Sequence, residues 1–193
     1  MRIERDIVKD PGGKQDQYIA AYGGLRFVEF HPDERVSVTP IIMKEDHLDE
    51  LQSNLLLFYT GRGRPGAPIL AGQIDEMPSN WEHYNAMRQL ARTLYRDLEE
   101  GRVDRLGECL HQNWEHKRRL HEAVSDAAID DFYSRARKAG ATGGKVAGAG
   151  GGGFLLLCAP PEKLERVRSA LAELREEAFH LENSGSRVIY VGE

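Results

Sequence analysis

Apolar residues recur in three long stretches of this chain with the spacing of one helix face. Trp81, Tyr84, Met87, Leu90-Ala91, Leu94-Tyr95 and Leu98 form the first. Ser79 and Glu82 ahead of them have capping-box spacing, and Gly101 ends the run. A second stripe, Leu106, Leu110, Trp114 and Leu120, predicts a helix from Val103 to Val124. A third, Ile129, Phe132-Tyr133 and Ala136, predicts one from Asp126 to Ala139, capped by Gly140. Leu55–Tyr59 is apolar throughout and reads as a buried strand. Leu25, Phe27 and Phe30, then Val36 and Val38, flank His31-Pro32-Asp33-Glu34 and predict a β-hairpin. Near the end, Pro160-Pro161 opens a helix carrying Leu164, Val167, Leu171 and Leu174. Asn183–Ser186 makes a turn, and Val188–Val191 reads as a closing strand. At the start, Ile3 and Ile7 predict the last turns of a helix within Met1–Lys9, stopped by Asp10-Pro11-Gly12-Gly13. From Leu55 the order is strand, helices, glycine-rich hairpin, helix, strand, which fits an α+β sheet with helices on one face.

The hairpin is the costliest stretch to order. Gly143–Cys158 reads GGKVAGAGGGGFLLLC, with four consecutive glycines running into Phe-Leu-Leu-Leu. Glycine loses the most backbone entropy on folding, so such a run implies positive φ angles or a ligand close to bare backbone. Strand-like residues on both sides predict a tight turn rather than a flexible linker. The spacing is not GxxxxGK[ST], and a strand rather than a helix follows, so neither standard nucleotide loop applies.

Composition narrows the class. The 193-residue chain can build a core and fits one domain, or one domain with part of another. A formal net charge of −5 argues against a broad nucleic-acid-binding face. Cys109 and Cys158 supply no disulfide framework and no zinc spacing, which favours a reducing compartment. MRIERDIVKD lacks the apolar core of a secretion signal, and no apolar run approaches a membrane span. The expectation is a soluble, cytoplasmic protein with no membrane or nucleic-acid partner.

Three groups of residues are candidates for chemistry. Asp16, on residues alone, is more simply the cap of a helix starting near Gln17. Arg62 and Arg64 follow the Leu55–Tyr59 strand and suit either a phosphate, through forked hydrogen bonds, or a solvated basic turn. His111, Glu115, His116 and His121 invite a metal reading, but the spacing is not HExxH and His121 falls five residues after His116.

Taken together the motifs resemble one family. Gly144-Lys145, followed by Gly148-Ala149-Gly150-Gly151-Gly152-Gly153-Phe154, resembles the third signature motif of the GHMP small-molecule kinases. Gly13-Lys14-Gln15-Asp16-Gln17-Tyr18, with Tyr22-Gly23-Gly24 behind it, is similar to the Gly-x-x-Asp-Gln segment of that family's sugar-kinase branch, nearest its heptose-phosphate version. Thr60-Gly61 with Arg64, the Leu110-His111-x-x-Trp114-Glu115-x-Lys117 helix and the Asn183-x-Gly185-Ser186-x-x-Ile189 turn appear in the family's order. Pro65, Gly66 and Pro68 depart from it, standing where relatives carry small hydroxyl residues.

The resemblance implies a ferredoxin-like C-terminal domain over residues 46–193. Residues 1–45 would be the tail of an N-terminal domain like domain 2 of ribosomal protein S5. It implies ATP and Mg2+ as cofactors, and γ-phosphoryl transfer to the anomeric hydroxyl of a sugar such as heptose 7-phosphate. Asp16 would orient that hydroxyl and accept its proton late, with most of the gain coming from positioning and charge stabilisation. Gly148, Ala149, Gly150, Gly151, Gly152 and Gly153 would support the nucleotide phosphates. Gly13, Lys14, Gln17, Tyr22 and Arg64 would contact the substrate, Arg64 at its distal phosphate. His111 or Lys117 would face the substrate side, and no protein metal ligand is assigned.

Two family motifs do not occur in the sequence: the N-terminal substrate-positioning motif and the main phosphate loop, a Pro-x-x-x-Gly-Leu-Gly-Ser-Ser-Ala-like run. The expectation is therefore the back half of a kinase, nearly inactive alone because positioning lowers the barrier by several kcal/mol. Its uncovered apolar surface would receive an N-terminal kinase half or a second copy. A non-catalytic sugar-phosphate or nucleotide binding module, and an inactive truncated fragment, are the competing readings.

Overall fold

Burial of the third helix stripe organises the molecule. The computed structural model describes residues 12–63 and 65–190; the predicted Met1–Lys9 helix end, Val191 and Arg64 lie outside them. The chain opens with α1 (Gln15–Tyr22) and an antiparallel hairpin, β1 (Arg26–Phe30) and β2 (Val36–Pro40), where Val28 faces Val38. Then come α2 (Glu45–Ser53), β3 (Leu55–Tyr59), α3 (Gly66–Asp75), α4 (Trp81–Glu99), α5 (Arg105–Lys117) and α6 (Ala127–Ala139). β4 (Gly143–Val146), β5 (Phe154–Cys158), α7 (Leu164–Ala170) and β6 (Arg175–Glu176) complete the order.

The main sheet runs β4-β5-β3-β6, every pair antiparallel. With β3 as its first strand, this is the βαββαβ connectivity of a ferredoxin-like fold, four helices filling the first crossover and α7 the second. Alternation along β3 and β5 sends Leu56, Phe58, Leu155 and Leu157 to one face. There they meet Trp114 of α5, Ile129, Tyr133 and Ala136 of α6, and Val167 of α7. Each fully buried large apolar side chain contributes about 1.5–3 kcal/mol. A second cluster, Leu51, Leu98 and Val103, packs with Leu25, Ile41, Met43 and Leu55, so the hairpin segment is joined to the sheet across residue 45.

Gly140 ends α6 in the left-handed region, as the sequence predicts, while Asp126, expected as the first helical residue, instead caps the helix by accepting from the Ala128 and Ile129 amides at 3.1 and 3.0 Å. Elsewhere local signals yield to packing. The Ser79–Glu82 capping box does not form. Ser79 Oγ donates to the Glu76 carbonyl at 2.8 Å, and Asn80, the residue before α4, donates to the Leu120 carbonyl at 3.1 Å. The predicted Val103–Val124 helix stops at Lys117 and resumes as one 3-10 turn over Glu122–Val124, because the Val124 carbonyl turns to accept from the Gly151 amide at 2.8 Å. The last predicted helix ends at Ala170, and Leu174 lies on the bend into β6.

The predicted closing strand is corrected. Val188, Ile189 and Tyr190 carry no regular structure and are 79, 91 and 81% exposed. The position beside β3 is taken by the polar pair Arg175-Glu176, so strand propensity at 188–190 finds no ladder to join. The sequence pattern also passes over α2 and α3. Pro68 sits in the first turn of α3, where proline's missing N–H breaks no helical bond.

Candidate functional site

The glycine run forms the turn between β4 and β5 and is bonded down along its length. Gly151 N–H reaches Val124 O, and Gly153 N–H reaches Arg62 O at 2.7 Å. Thr60 Oγ1, buried at the end of β3, donates to Gly153 O at 2.9 Å. Gly150 and Gly152 have φ of 105° and 141°. A Cβ there would stand 2.7 Å from Val124 O and 2.5 Å from Arg62 O respectively. Both conditions exclude side chains, so this is an ordered turn and not a linker.

A close helix–strand contact brings α5 beneath this turn. A Cβ on Gly143 would lie 1.8 Å from Gly107 O, and one on Gly107 would lie 1.9 Å from Thr142 Oγ1. Two bare backbones thus let α5 lie against β4, and the end of α5 reaches the loop. There the buried Lys117 donates from Nζ to Gly148 O. From α3, buried Gln73 donates to Ala149 O at 3.1 Å.

A cavity of about 410 Å³ opens above the loop, lined by Gly12, Gly13, Gln15, Asp16 and Gln17, by Gly66, Ala67 and Leu70, and by Gly148 and Ala149. Three segments far apart in sequence therefore meet: the start of α1, the start of α3 and the glycine turn. Helix N-termini in general present backbone N–H groups and the positive ends of their dipoles, which favour an anion, and the starts of α1 and α3 both line this cavity. Asp16 is the second residue of α1, and the helix begins two residues earlier than the capping reading requires. Lys14 precedes the helix without a side-chain cap, so the Asp16 carboxylate is not an N-cap. Among the described residues it has no hydrogen bond or ion pair, and it lies exposed at the cavity.

Of the sequence candidates, Gly13, Asp16, Gln17, Gly148 and Ala149 line this cavity together. Lys14 and Tyr22 do not; Tyr22 stacks on Tyr18 with ring centroids 6.4 Å apart. Gly150 to Gly153 lie behind the lining, anchored to Val124 and Arg62. Arg62 pairs with Asp126 at 2.8 Å. Burial pushes the Asp126 carboxyl up, but the Ile129 amide and Arg62 outweigh it and leave it below its ordinary value. Lys117 was legible as a residue of the resembling helix; Gln73 carried no signal.

The histidines have other partners. His111 Nδ1 is 2.8 Å from the Tyr133 hydroxyl, and His83 Nδ1 is 3.1 Å from His116 Nδ1. His121 accepts from the Ala123 amide at 3.1 Å. Among the described residues no three His, Cys, Asp or Glu side chains cluster to hold a metal ion.

A ferredoxin-like sheet with an anchored glycine turn beneath an aspartate-bearing cavity makes up the candidate site of an α+β domain. The chain matches, over residues 94–176, the profile described as GHMP kinases C terminal. It is 33% identical over 172 residues to the D-glycero-alpha-D-manno-heptose 7-phosphate kinase of Campylobacter jejuni, covering 88% of this chain and 50% of that protein. It is 27% identical to the bifunctional fucokinase/GDP-fucose pyrophosphorylase of Arabidopsis thaliana, over 86% of this chain and 16% of that one. Among solved structures, a D-glycero-D-manno-heptose 1-phosphate kinase from Bacteroides thetaiotaomicron superposes with a TM-score of 0.71 at 30% identity, over 95% of this chain and 51% of that one. The chain thus spans about half the length of the heptose kinases it matches, and its relatives are sugar kinases of the GHMP family.

Proposed function

We propose that this chain is the C-terminal part of an ATP-dependent sugar-phosphate kinase, acting on the anomeric hydroxyl of a heptose 7-phosphate-like sugar. One observation carries the reading: Asp16 and the Gly148-Ala149 turn, 132 positions apart in sequence, line one cavity with two helix N-termini. That is one acceptor for a hydroxyl proton beside a set of N–H donors suited to phosphate. The relatives' names supply the sugar class.

The residues fit the implied cofactors. The amides of Ala149 and Gly150 meet no protein acceptor among the described residues, as expected of donors kept for a polyphosphate. Among the described residues Asp16 is the one carboxylate of the lining, which suits a magnesium ion held mainly by nucleotide phosphates. When bound, ATP supplies the transferred phosphoryl group. Asp16 then orients the sugar hydroxyl and takes its proton, and Gly13 and Gln17 border the sugar. The loop holds the phosphates in place, and Arg64 meets the sugar's distal phosphate.

In this reading residues 1–45 close an N-terminal kinase domain and residues 46–193 form the C-terminal one. The partner is an N-terminal kinase half or a second copy of the chain. Among the described residues no helix is long and apolar enough to cross a membrane, and the proposed location is the cytoplasm.

The deciding assay follows ADP release with ATP, Mg2+ and D-glycero-D-manno-heptose 7-phosphate. It is run on the chain alone and with a relative's N-terminal half added in trans. The expected result is turnover in the mixture and little in the chain alone. Silence in both would leave a binding module or an inactive fragment and defeat the kinase reading.

A further inference from the structure

Lys117 and Gln73 are both buried, at 7 and 8% exposure, and neither lines the cavity. They approach the glycine turn from different helices and bond to successive carbonyls, Lys117 to Gly148 O and Gln73 to Ala149 O. Gln73 is itself fixed, its own carbonyl accepting from the Tyr84 hydroxyl at 3.1 Å. No cis peptide occurs among the described residues. In a trans peptide the carbonyl and the following N–H point in opposite directions. Drawing the Gly148 and Ala149 carbonyls inward therefore turns the Ala149 and Gly150 amides away from Lys117 and Gln73. Ala149 belongs to the cavity that Asp16 lines.

The two anchors differ chemically. Gln73 is neutral at every ordinary pH, whereas Lys117 is an ammonium with no carboxylate in ion-pair range among the described residues. Burial first, then the nearby charge of Lys145 on β4, push Lys117 down to about 7. Burial lowers Lys145 too. The hydrogen-bond acceptor of the Lys117 ammonium is the neutral Gly148 carbonyl.

We propose that Lys117 is a positioning residue whose protonated form pins the Gly148 carbonyl and holds the Ala149 amide toward the cavity, so that the loop binds polyphosphate more tightly when Lys117 is charged. The ligand half of this proposal rests on the nucleotide reading of the loop. A charged donor makes a shorter and stronger bond than a neutral amine. Loss of the proton loosens the anchor and removes a positive charge beneath the phosphate site. By linkage, a ligand that prefers the charged form must raise the pH at which Lys117 titrates.

The test is amide NMR of the whole chain from pH 6 to 9, with and without inorganic tripolyphosphate. In the wild type, the Gly148, Ala149 and Gly150 amides are expected to titrate together near neutrality, with a midpoint that rises when tripolyphosphate is added. In Lys117→Arg, whose charge is permanent, and in Lys117→Met, which has none, that titration disappears. Tripolyphosphate affinity, taken as the ratio of wild type to Lys117→Arg to cancel the ligand's own protonation, falls about tenfold across the range, while Lys117→Met binds weakly throughout. Wild-type loop amides that stay fixed from pH 6 to 9, or that titrate equally in Lys117→Met, overturn the proposal. Should Lys117→Met fail to fold, the wild type and Lys117→Arg decide it alone. Loop amides that titrate on Lys117 yet ignore tripolyphosphate keep the anchor, and overturn both the ligand half and the nucleotide reading.

Discussion

Asp16 and Lys117 illustrate opposite ways for a charged residue to sit in a fold. Asp16 is exposed, outside any cap and unpaired among the described residues, so its removal costs the fold little. On the proposed function, Asp16→Asn with the N-terminal half supplied is expected to cut turnover at least about a hundredfold, the usual scale for acid–base groups. The melting temperature should stay unchanged; a mutant with most of its rate would remove Asp16 from the chemistry. Lys117 is buried, and its folded-state value of about 7 lies below the ordinary lysine value of 10.5. Between those two values the unfolded chain binds more protons than the folded one, so this group makes stability rise with pH across that window. Denaturant midpoints at pH 7 and pH 9 should therefore increase for the wild type relative to Lys117→Met. A constant difference between the two proteins would show that burial does not depress this lysine.

Glycines decide the geometry at the scale of elements. Gly107 interrupts an otherwise ordinary helical stripe, and its use appears only when α5 is seen against β4. Gly143→Ala would set a methyl group into the Gly107 carbonyl, and is expected to destabilise the protein by about 2 kcal/mol or more, as for overpacked sites. Urea unfolding measures it, and an effect within a few tenths would mean that helix and strand separate freely. The elements legible in the sequence were those whose signal is their own: the stripe of α6 with Asp126 and Gly140 at its ends, the apolar run of β3, and the glycine turn between two strands. Those misread depended on a partner. Val188–Tyr190 has strand residues without an edge to join, and Ser79 spaced for a cap bonds backward to Glu76 instead. The site divides in the same way. Asp16 and the glycines were recognisable from motifs, whereas Gln73 became visible only when α3 was folded against the loop.

For the whole molecule, the position of Asp16 depends on a segment at the other end of the described chain. α1 is short and buries no residue, so propensity alone does not hold it. It is held by the Asn183–Ser186 segment and by Tyr18 packed edge-on against Phe30 of β1. The Ser186 amide and hydroxyl donate to Ala20 O at 2.9 and 3.0 Å, and the Gly24 amide donates to Glu182 O at 2.8 Å. The two backbones touch where Gly23 meets Gly185, and a Cβ on Gly185 would lie 1.9 Å from Ala21 O. The main sheet and its helices take no part in this contact. Gly185→Val should therefore release α1 while leaving the core intact. The expected result is fast hydrogen exchange at the amides of α1 with unchanged protection in β3 and β5, a melting temperature within about a degree or two, and a loss of turnover in the assembled kinase approaching that of Asp16→Asn. Parallel loss of protection in α1 and β5 would mean instead that the turn supports the whole domain, and that Asp16 is positioned by the sheet rather than by the far end of the chain.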